Sequence, residues 1–279
     1  MQESRGPKAE LALHGLIPKK DFGQCFLADE RLAARIAALV PEGASVVELG
    51  AGLGALTRPL LARAATLTAI ERDRDLVPVL RGSFAGAIEQ GLLEVLEADA
   101  KAIELSALFA GKPEPHVLAG NLPYQITGPL VTLAVRERVL LDRVVYLVQL
   151  EVGDRLAAPA GHDAYGALSV FTQAAFDVER AFVVRRGAFY PQPNVDSCVV
   201  VLEPRARPIE ETAAFRELVK RGFGARRKTL SNAWQGVLGT TKDGLARAAA
   251  RAQIDLGARA ERLTPEAFER MALALSEEA

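Results

Sequence analysis

The stretch Ser45-Val46-Val47-Glu48-Leu49-Gly50-Ala51-Gly52-Leu53-Gly54 decides the fold. A short, mostly apolar run enters three glycines at alternate positions, and a helix-forming segment, Ala55 to Arg63, follows. A buried strand, a glycine turn and a helix in that order open a Rossmann-like sheet. Outward from here the pattern repeats. Thr66 to Ile70, Leu92 to Leu96, His116 to Ala119 and Val144 to Gln149 read as short buried strands. Asp29 to Val40 (with Leu32, Ile36 and Leu39 at helical spacing), Asp73 to Leu80 and Thr127 to Val135 read as helices. The alternation predicts an α/β fold around a mostly parallel sheet.

After Gln149 the pattern changes. Ala175 to Val184 and Cys198 to Leu202 read as two late strands that pair antiparallel at a sheet edge. Beyond Pro204 and Pro208 only helical patterns remain, at Ala213 to Phe223, Asp243 to Ala252 and Pro265 to Leu275. The expected organisation is a polar N-terminal arm over 1–20, an α/β domain over 21–205 and a small all-helical domain over 206–279.

Composition narrows the partners. The chain has 279 residues, 49% hydrophobic and 25% charged, with a formal net charge of −1, so it is no chain-wide basic binder, and any nucleic-acid contact needs a local patch. Cys25 and Cys198 form no C-x-x-C, and His14, His116 and His162 are far apart, which argues against a disulfide framework or a metal site. No apolar run reaches the roughly 20 residues of a membrane span, and Met1 to Glu10 lacks a signal-peptide core. A cytoplasmic monomer is the expectation.

Three acidic residues accompany the glycines Gly50, Gly52 and Gly54. Glu48 precedes them, Glu71 closes the second strand where it can accept both ribose hydroxyls, and Asp99 closes the third where it can accept from an adenine amine. Gly50-x-Gly52-x-x-Ala55 also fits a relaxed dinucleotide fingerprint. Glu48 suits an amino-acid ammonium better than a pyrophosphate, and Asp99 repels phosphate, so the turn favours S-adenosylmethionine over a nicotinamide cofactor.

Asn121-Leu122-Pro123-Tyr124 ends the fourth strand. An adenine amine is a poor nucleophile because its lone pair is delocalised into the ring. The Asn121 side-chain carbonyl and the Leu122 backbone carbonyl can take its two hydrogens and free the lone pair. Pro123 has no donor and a fixed φ, and Tyr124 offers a ring for stacking. The plainer alternative is a turn whose Asn121 caps the next helix.

The sequence resembles the KsgA-type small-subunit rRNA adenine dimethyltransferases from about residue 18 to the C-terminal helices. Phe22-Gly23-Gln24-Cys25-Phe26-Leu27 is similar to the family's F-G-Q-N-F-L segment, with Cys25 where Asn is usual. Glu48 to Thr57 resembles its cofactor turn, and Asn121 to Tyr124 its N-L-P-Y motif. Gln149 to Val152 and Tyr165 to Val170 resemble its middle segments. Phe189 to Ser197 matches F-x-P-x-P-x-V-x-S, and Arg226 to Asn232 resembles R-R-K-T-L-x-N. The resemblance implies a class I methyltransferase sheet. It implies dimethylation by S-adenosylmethionine of two adjacent adenines near the 3′ end of small-subunit (16S) rRNA, within a pre-30S particle. It also implies that Gly50, Glu71 and Asp99 bind cofactor, helped by Cys25 and Leu27, that Asn121 touches cofactor and target amine, and that Phe189 faces Tyr124 across the flipped base.

Arg216, Lys220, Arg221, Arg226, Arg227 and Lys228 face a single acid, Glu217, in their stretch. Arg221, Arg226, Arg227 and Lys228 are the candidate RNA contacts, against the alternative of a solvated helix face. Two further readings share the fold: an Erm-like enzyme of large-subunit (23S) rRNA, and an assembly factor in which binding outweighs catalysis. A nicotinamide oxidoreductase would leave Asn121 to Tyr124 without a task.

Overall fold

The computed structural model describes residues 6–225 and 227–278. Among the described residues there are nine strands: β1 (Phe26–Leu27), β2 (Ser45–Leu49), β3 (Thr66–Glu71), β4 (Leu93–Glu97), β5 (His116–Asn121), β6 (Arg143–Gln149), β7 (Phe176–Val184), β8 (Phe189–Tyr190) and β9 (Ser197–Pro204). Seven form one sheet in the order β4-β3-β2-β5-β6-β9-β7. β4, β3, β2, β5 and β6 run parallel, and β9 joins β6 antiparallel. This is the class I methyltransferase sheet, and its late antiparallel strands lie where the sequence places them.

Burial explains why the inner strands are so legible. Every residue of β2 is buried, as are the four inner residues of β5 and the five inner residues of β6. A strand covered on both sides needs a continuous apolar run. The edge strands β4 and β7 carry exposed positions instead. The chain leaves β2 toward β3 on one side and later returns to β5 on the other, so the carboxyl ends of β2 and β5 meet where the strand order reverses, the usual place for a ligand crevice in such sheets.

Contacts divide the chain into two compact units. One comprises the described residues up to Gly153 together with Glu179–Pro204, the other Asp154–Val178 together with the described residues from Arg205 on. The helical unit thus begins earlier than the expected residue 206. The physical reason is its core, which includes Ala158, Tyr165, Val170 and Ala174 beside Phe215, Trp234 and Phe268. Three of its helices, Ala213–Gly224, Lys242–Ala252 and Pro265–Ser276, start on a threonine (Thr212, Thr241, Thr264) whose hydroxyl accepts a first-turn N–H. The described part of the expected polar arm is not featureless either. Pro7–Leu13 is a helix with Pro7 in its first turn, and Leu11 is buried against Phe26 and Leu76.

Candidate active site

The turn after β2, the end of β3 and the Asn121–Tyr124 corner open on one cleft, which residues 22–27 also line. Gly52 sits at φ +57°, and a Cβ there would lie 3.2 Å from the Phe26 ring, so the backbone is bare where the strap comes close. Its N–H donates to Glu71 Oε2 (2.8 Å), while Asp73 N–H donates to Glu71 Oε1 (2.7 Å). Burial pushes the Glu71 carboxyl up, against these bonds. Glu48 is 1% exposed and accepts from Thr57 Oγ1 (2.6 Å). Burial pushes its carboxyl up to about 7, the Thr57 bond opposing and the Glu71 charge adding. Two buried carboxyls in one crevice favour a cationic, hydroxyl-bearing ligand, because a cation restores the charged form that burial disfavours. The residues present therefore fit S-adenosylmethionine.

A strap over residues 19–27 crosses this cleft. Lys19 Nζ donates to Asp73 Oδ1 (2.5 Å) and Asp75 Oδ2 (2.7 Å), and Gln24 Nε2 donates to Asp73 Oδ2 (2.7 Å). Burial alone would raise Asp73, but the Lys19 ammonium, the Asp75 N–H and the Gln24 amide outweigh it and hold the carboxyl below its usual range. The Arg72 guanidinium lies 4.3 Å from the centre of the Phe22 ring. β1 pairs with β8, placing Phe26 opposite Tyr190 and Leu27 opposite Phe189. Lys19, Gln24 and Asp73 were missed in the sequence. Their partners stand 49 and 54 residues away, and no local pattern marks such a pair.

The Asn121 corner is tightly built. Asn121 Nδ2 donates to the Cys25 carbonyl (2.9 Å), which commits the amino half of the amide and leaves Oδ1 as its acceptor. Cys25 thus takes part through its backbone, whatever its side chain. Leu122 donates its N–H to Leu147 O (3.0 Å), so the segment is locked to β6. Tyr124 OH lies 2.9 Å from Ser197 Oγ. Burial raises the Tyr124 phenol, against the Ser197 bond, so it stays protonated near neutrality. Gly120 was also missed: a Cβ there would lie 2.5 Å from the Leu49 carbonyl, so only glycine lets β5 come this close to β2.

The other candidates are placed as follows. Cys25, Leu27, Glu48, Gly50, Gly52, Glu71 and Asn121 to Tyr124 all line the cleft. Gly54 packs instead beneath the Phe84 ring, where a Cβ would lie 2.4 Å from it. Asp99 stands at the rim between two lining residues, Ala98 and Ala100, and its own carboxylate accepts from Lys101 N (3.0 Å) and pairs with Lys101 Nζ (3.4 Å). Phe189 is 5% exposed and belongs to the apolar core, without a ring contact to Tyr124 among the described residues. In the helical unit Arg227 and Lys228 are exposed, while Arg221 holds Glu217 (2.6 Å) and the Gln235 carbonyl (3.0 Å). Arg226 lies outside the described residues. Among the described residues no group of three or more His, Cys, Asp or Glu is arranged to hold a metal, and no helix is long and apolar enough to cross a membrane.

Comparison with known proteins identifies the family. A ribosomal RNA small subunit methyltransferase A of Geobacter sulfurreducens is 43% identical over 262 residues, covering 91% of this chain and 94% of that protein. One from Myxococcus xanthus is 41% identical, covering 94% and 92%. Among solved structures, a dimethyladenosine transferase from Plasmodium falciparum shares the fold at TM-score 0.74 and 23% identity, covering 91% of this chain and 98% of that one. The 23S rRNA methyltransferase ErmE gives TM-score 0.68 at 29% identity, covering 90% and 99%. The ribosomal RNA adenine dimethylase family model matches residues 17–277, and the chain belongs to that family.

Proposed function

We propose that this protein dimethylates the N6 amines of two adjacent adenines near the 3′ end of small-subunit rRNA, with S-adenosylmethionine as methyl donor, acting as a cytoplasmic monomer on a partly assembled subunit. The observation that carries this reading is the Asn121 amide, pinned by the Cys25 carbonyl at the mouth of an acidic, glycine-floored cleft. When bound, S-adenosylmethionine supplies an electrophilic methyl group on a sulfonium. Glu71 accepts its ribose hydroxyls, Glu48 faces its ammonium, and Gly50 and Gly52 give it bare backbone. Leu27 and Phe26 would cover it, and Asp99 at the rim would be the acceptor for its adenine amine.

Asn121 Oδ1 and the Leu122 carbonyl accept the two hydrogens of the target amine. Holding both hydrogens out of the ring plane localises the nitrogen lone pair and aims it into the cleft. Pro123, at φ −57°, keeps the Leu122 carbonyl fixed and offers no competing donor. The Tyr124 ring stacks on the everted base, steadied by Ser197. No side-chain base is needed, because the methylated ammonium is acidic and passes its proton to water. Phe189, buried opposite Leu27, supports from behind the strand that lines the cleft. Arg227 and Lys228 contact RNA phosphates, whereas Arg221 mainly braces its own helix.

The test uses labelled S-adenosylmethionine and small subunits lacking adenine methylation. Wild-type protein yields dimethyladenine there and leaves large-subunit rRNA unlabelled. Asn121→Ala loses all incorporation, while S-adenosylmethionine still binds, weakened about tenfold at most by loss of the strap's bond to Asn121. Full activity in that variant would remove the assigned role, and labelling of large-subunit rRNA would move the substrate to the ErmE-like reading.

A further inference from the structure

We propose that the recess formed by Arg185, Arg186, Gln192, Asn194 and Asp196 seats an RNA phosphodiester that flanks the target adenosine. This rests on the reading of the Asn121–Tyr124 corner as an adenosine site, and it adds a contact for the rest of the substrate strand.

Connectivity carries the first part of the argument. Ser197 Oγ is 2.9 Å from the Tyr124 hydroxyl, and the residue before it, Asp196, lines the recess. The Asp196 carbonyl accepts from Leu150 N (3.0 Å), which fixes this point to the end of β6. The recess therefore opens one residue from the group that steadies the stacking ring. A base everted onto that ring brings its own sugar-phosphate backbone to the mouth of the cleft.

The second part is chemistry. Asp196 Oδ1 accepts from Arg186 N (2.9 Å) and Oδ2 from Arg185 Nη1 (2.7 Å). The only carboxylate of the recess is thus engaged by its own loop, where it orients the loop instead of repelling an anion. Both bonds hold its carboxyl below the usual range, the Arg186 N–H first, so it stays ionised and keeps its grip. Arg186 Nη1 reaches the Asn194 carbonyl at 3.5 Å. Two guanidiniums against one carboxylate leave a net positive recess. The Arg185 side chain is 83% exposed yet tethered at one nitrogen, which aims its remaining N–H donors outward. An ion pair this exposed adds little to folding. A fixed guanidinium fork is, however, well suited to phosphate oxygens.

The experiment measures methyl transfer to small subunits and, separately, equilibrium binding of small-subunit RNA, each across a salt series. Arg185→Ala and Arg186→Ala each raise the KM for subunits about tenfold, as loss of a charge-assisted contact does, with kcat changed far less. The slope of log affinity against log salt falls by about 0.7–0.9 in each variant, one phosphate's worth. Arg185→Lys recovers the slope. S-adenosylmethionine affinity and the thermal midpoint stay at wild-type values, which a merely structural role would move. A double variant that keeps the wild-type KM and salt slope overturns the inference, as does a loss of affinity that comes with a lowered thermal midpoint and an unchanged slope. A wild-type protein that binds RNA but methylates no adenine would instead count against the proposed function, and the binding slopes would still decide the role of the recess.

Discussion

Glu48 is a single carboxyl whose titration reaches the working chemistry. Its pKa of about 7 in the fold stands above the ordinary 4.5. The protonated form is therefore the one the folded cleft prefers. Its contribution is full below about pH 4.5 and fades as pH rises through about 7, a loss of roughly 3 kcal/mol if no cation arrives. Ligand-free protein should unfold at lower temperature at pH 8 than at pH 5, and Glu48→Gln should flatten that difference in a calorimetric pH series. Affinity for S-adenosylmethionine should run the opposite way, rising through about pH 7 as Glu48 ionises, and should lose this rise in the same variant. Gly120 acts by absence. Gly120→Ala would press a methyl group against the Leu49 carbonyl, 2.5 Å away, in a sheet that cannot spread. A destabilisation of about 1–3 kcal/mol in urea titration is expected, with loss of turnover because Asn121 follows directly.

At the scale of elements, the strap over residues 19–27 holds both a ligand site and the fold. Its grip is the polar knot of Lys19, Gln24, Asp73 and Asp75 and the Asn121 bond to Cys25. The double change Lys19→Ala with Gln24→Ala should weaken S-adenosylmethionine binding about tenfold by titration calorimetry. The urea midpoint of the ligand-free protein should fall as well, because the buried Asp73 carboxylate loses both partners, and an unchanged affinity would separate the strap from the cofactor. This element also shows where sequence reading ends. β2, β5 and β6 were plain because burial on both sides leaves an unbroken apolar signature, and the Asn121 corner was plain because its chemistry lies in four consecutive residues. The knot was hidden because its partners meet only after folding. The helix expected from Asp73 begins at Val77: the Asp73 side chain is drawn to Lys19, and its carbonyl takes both Leu76 N (2.9 Å) and Val77 N (3.2 Å) in a turn that leads into the helix. Phe189 was legible as a residue, but its burial opposite Leu27 depends on a pairing between two-residue strands that no periodicity reveals.

At the scale of the whole molecule, two cores imply two responses to stress. Trp234 is fully buried, donates to the Leu218 carbonyl (2.9 Å) and packs on Phe268 at 6.1 Å. Trp234→Ala should remove about 3–5 kcal/mol from the helical unit. S-adenosylmethionine at a hundred times its Kd should add about 2.7 kcal/mol to the α/β unit, and scanning calorimetry of the variant with ligand should pull the two transitions apart. A single unchanged transition would mean that the units melt together. The helical unit is also stitched from two separate lengths of chain, with Tyr165 of the earlier length 5.9 Å from Phe223 of the later one. A chimera spliced at residue 205 would carry off Phe215, Phe223 and Phe268 without the tyrosine beside them. An exchange of this part between relatives has to transplant both lengths, which makes it less a detachable tail than an insertion shared with the sheet-bearing half.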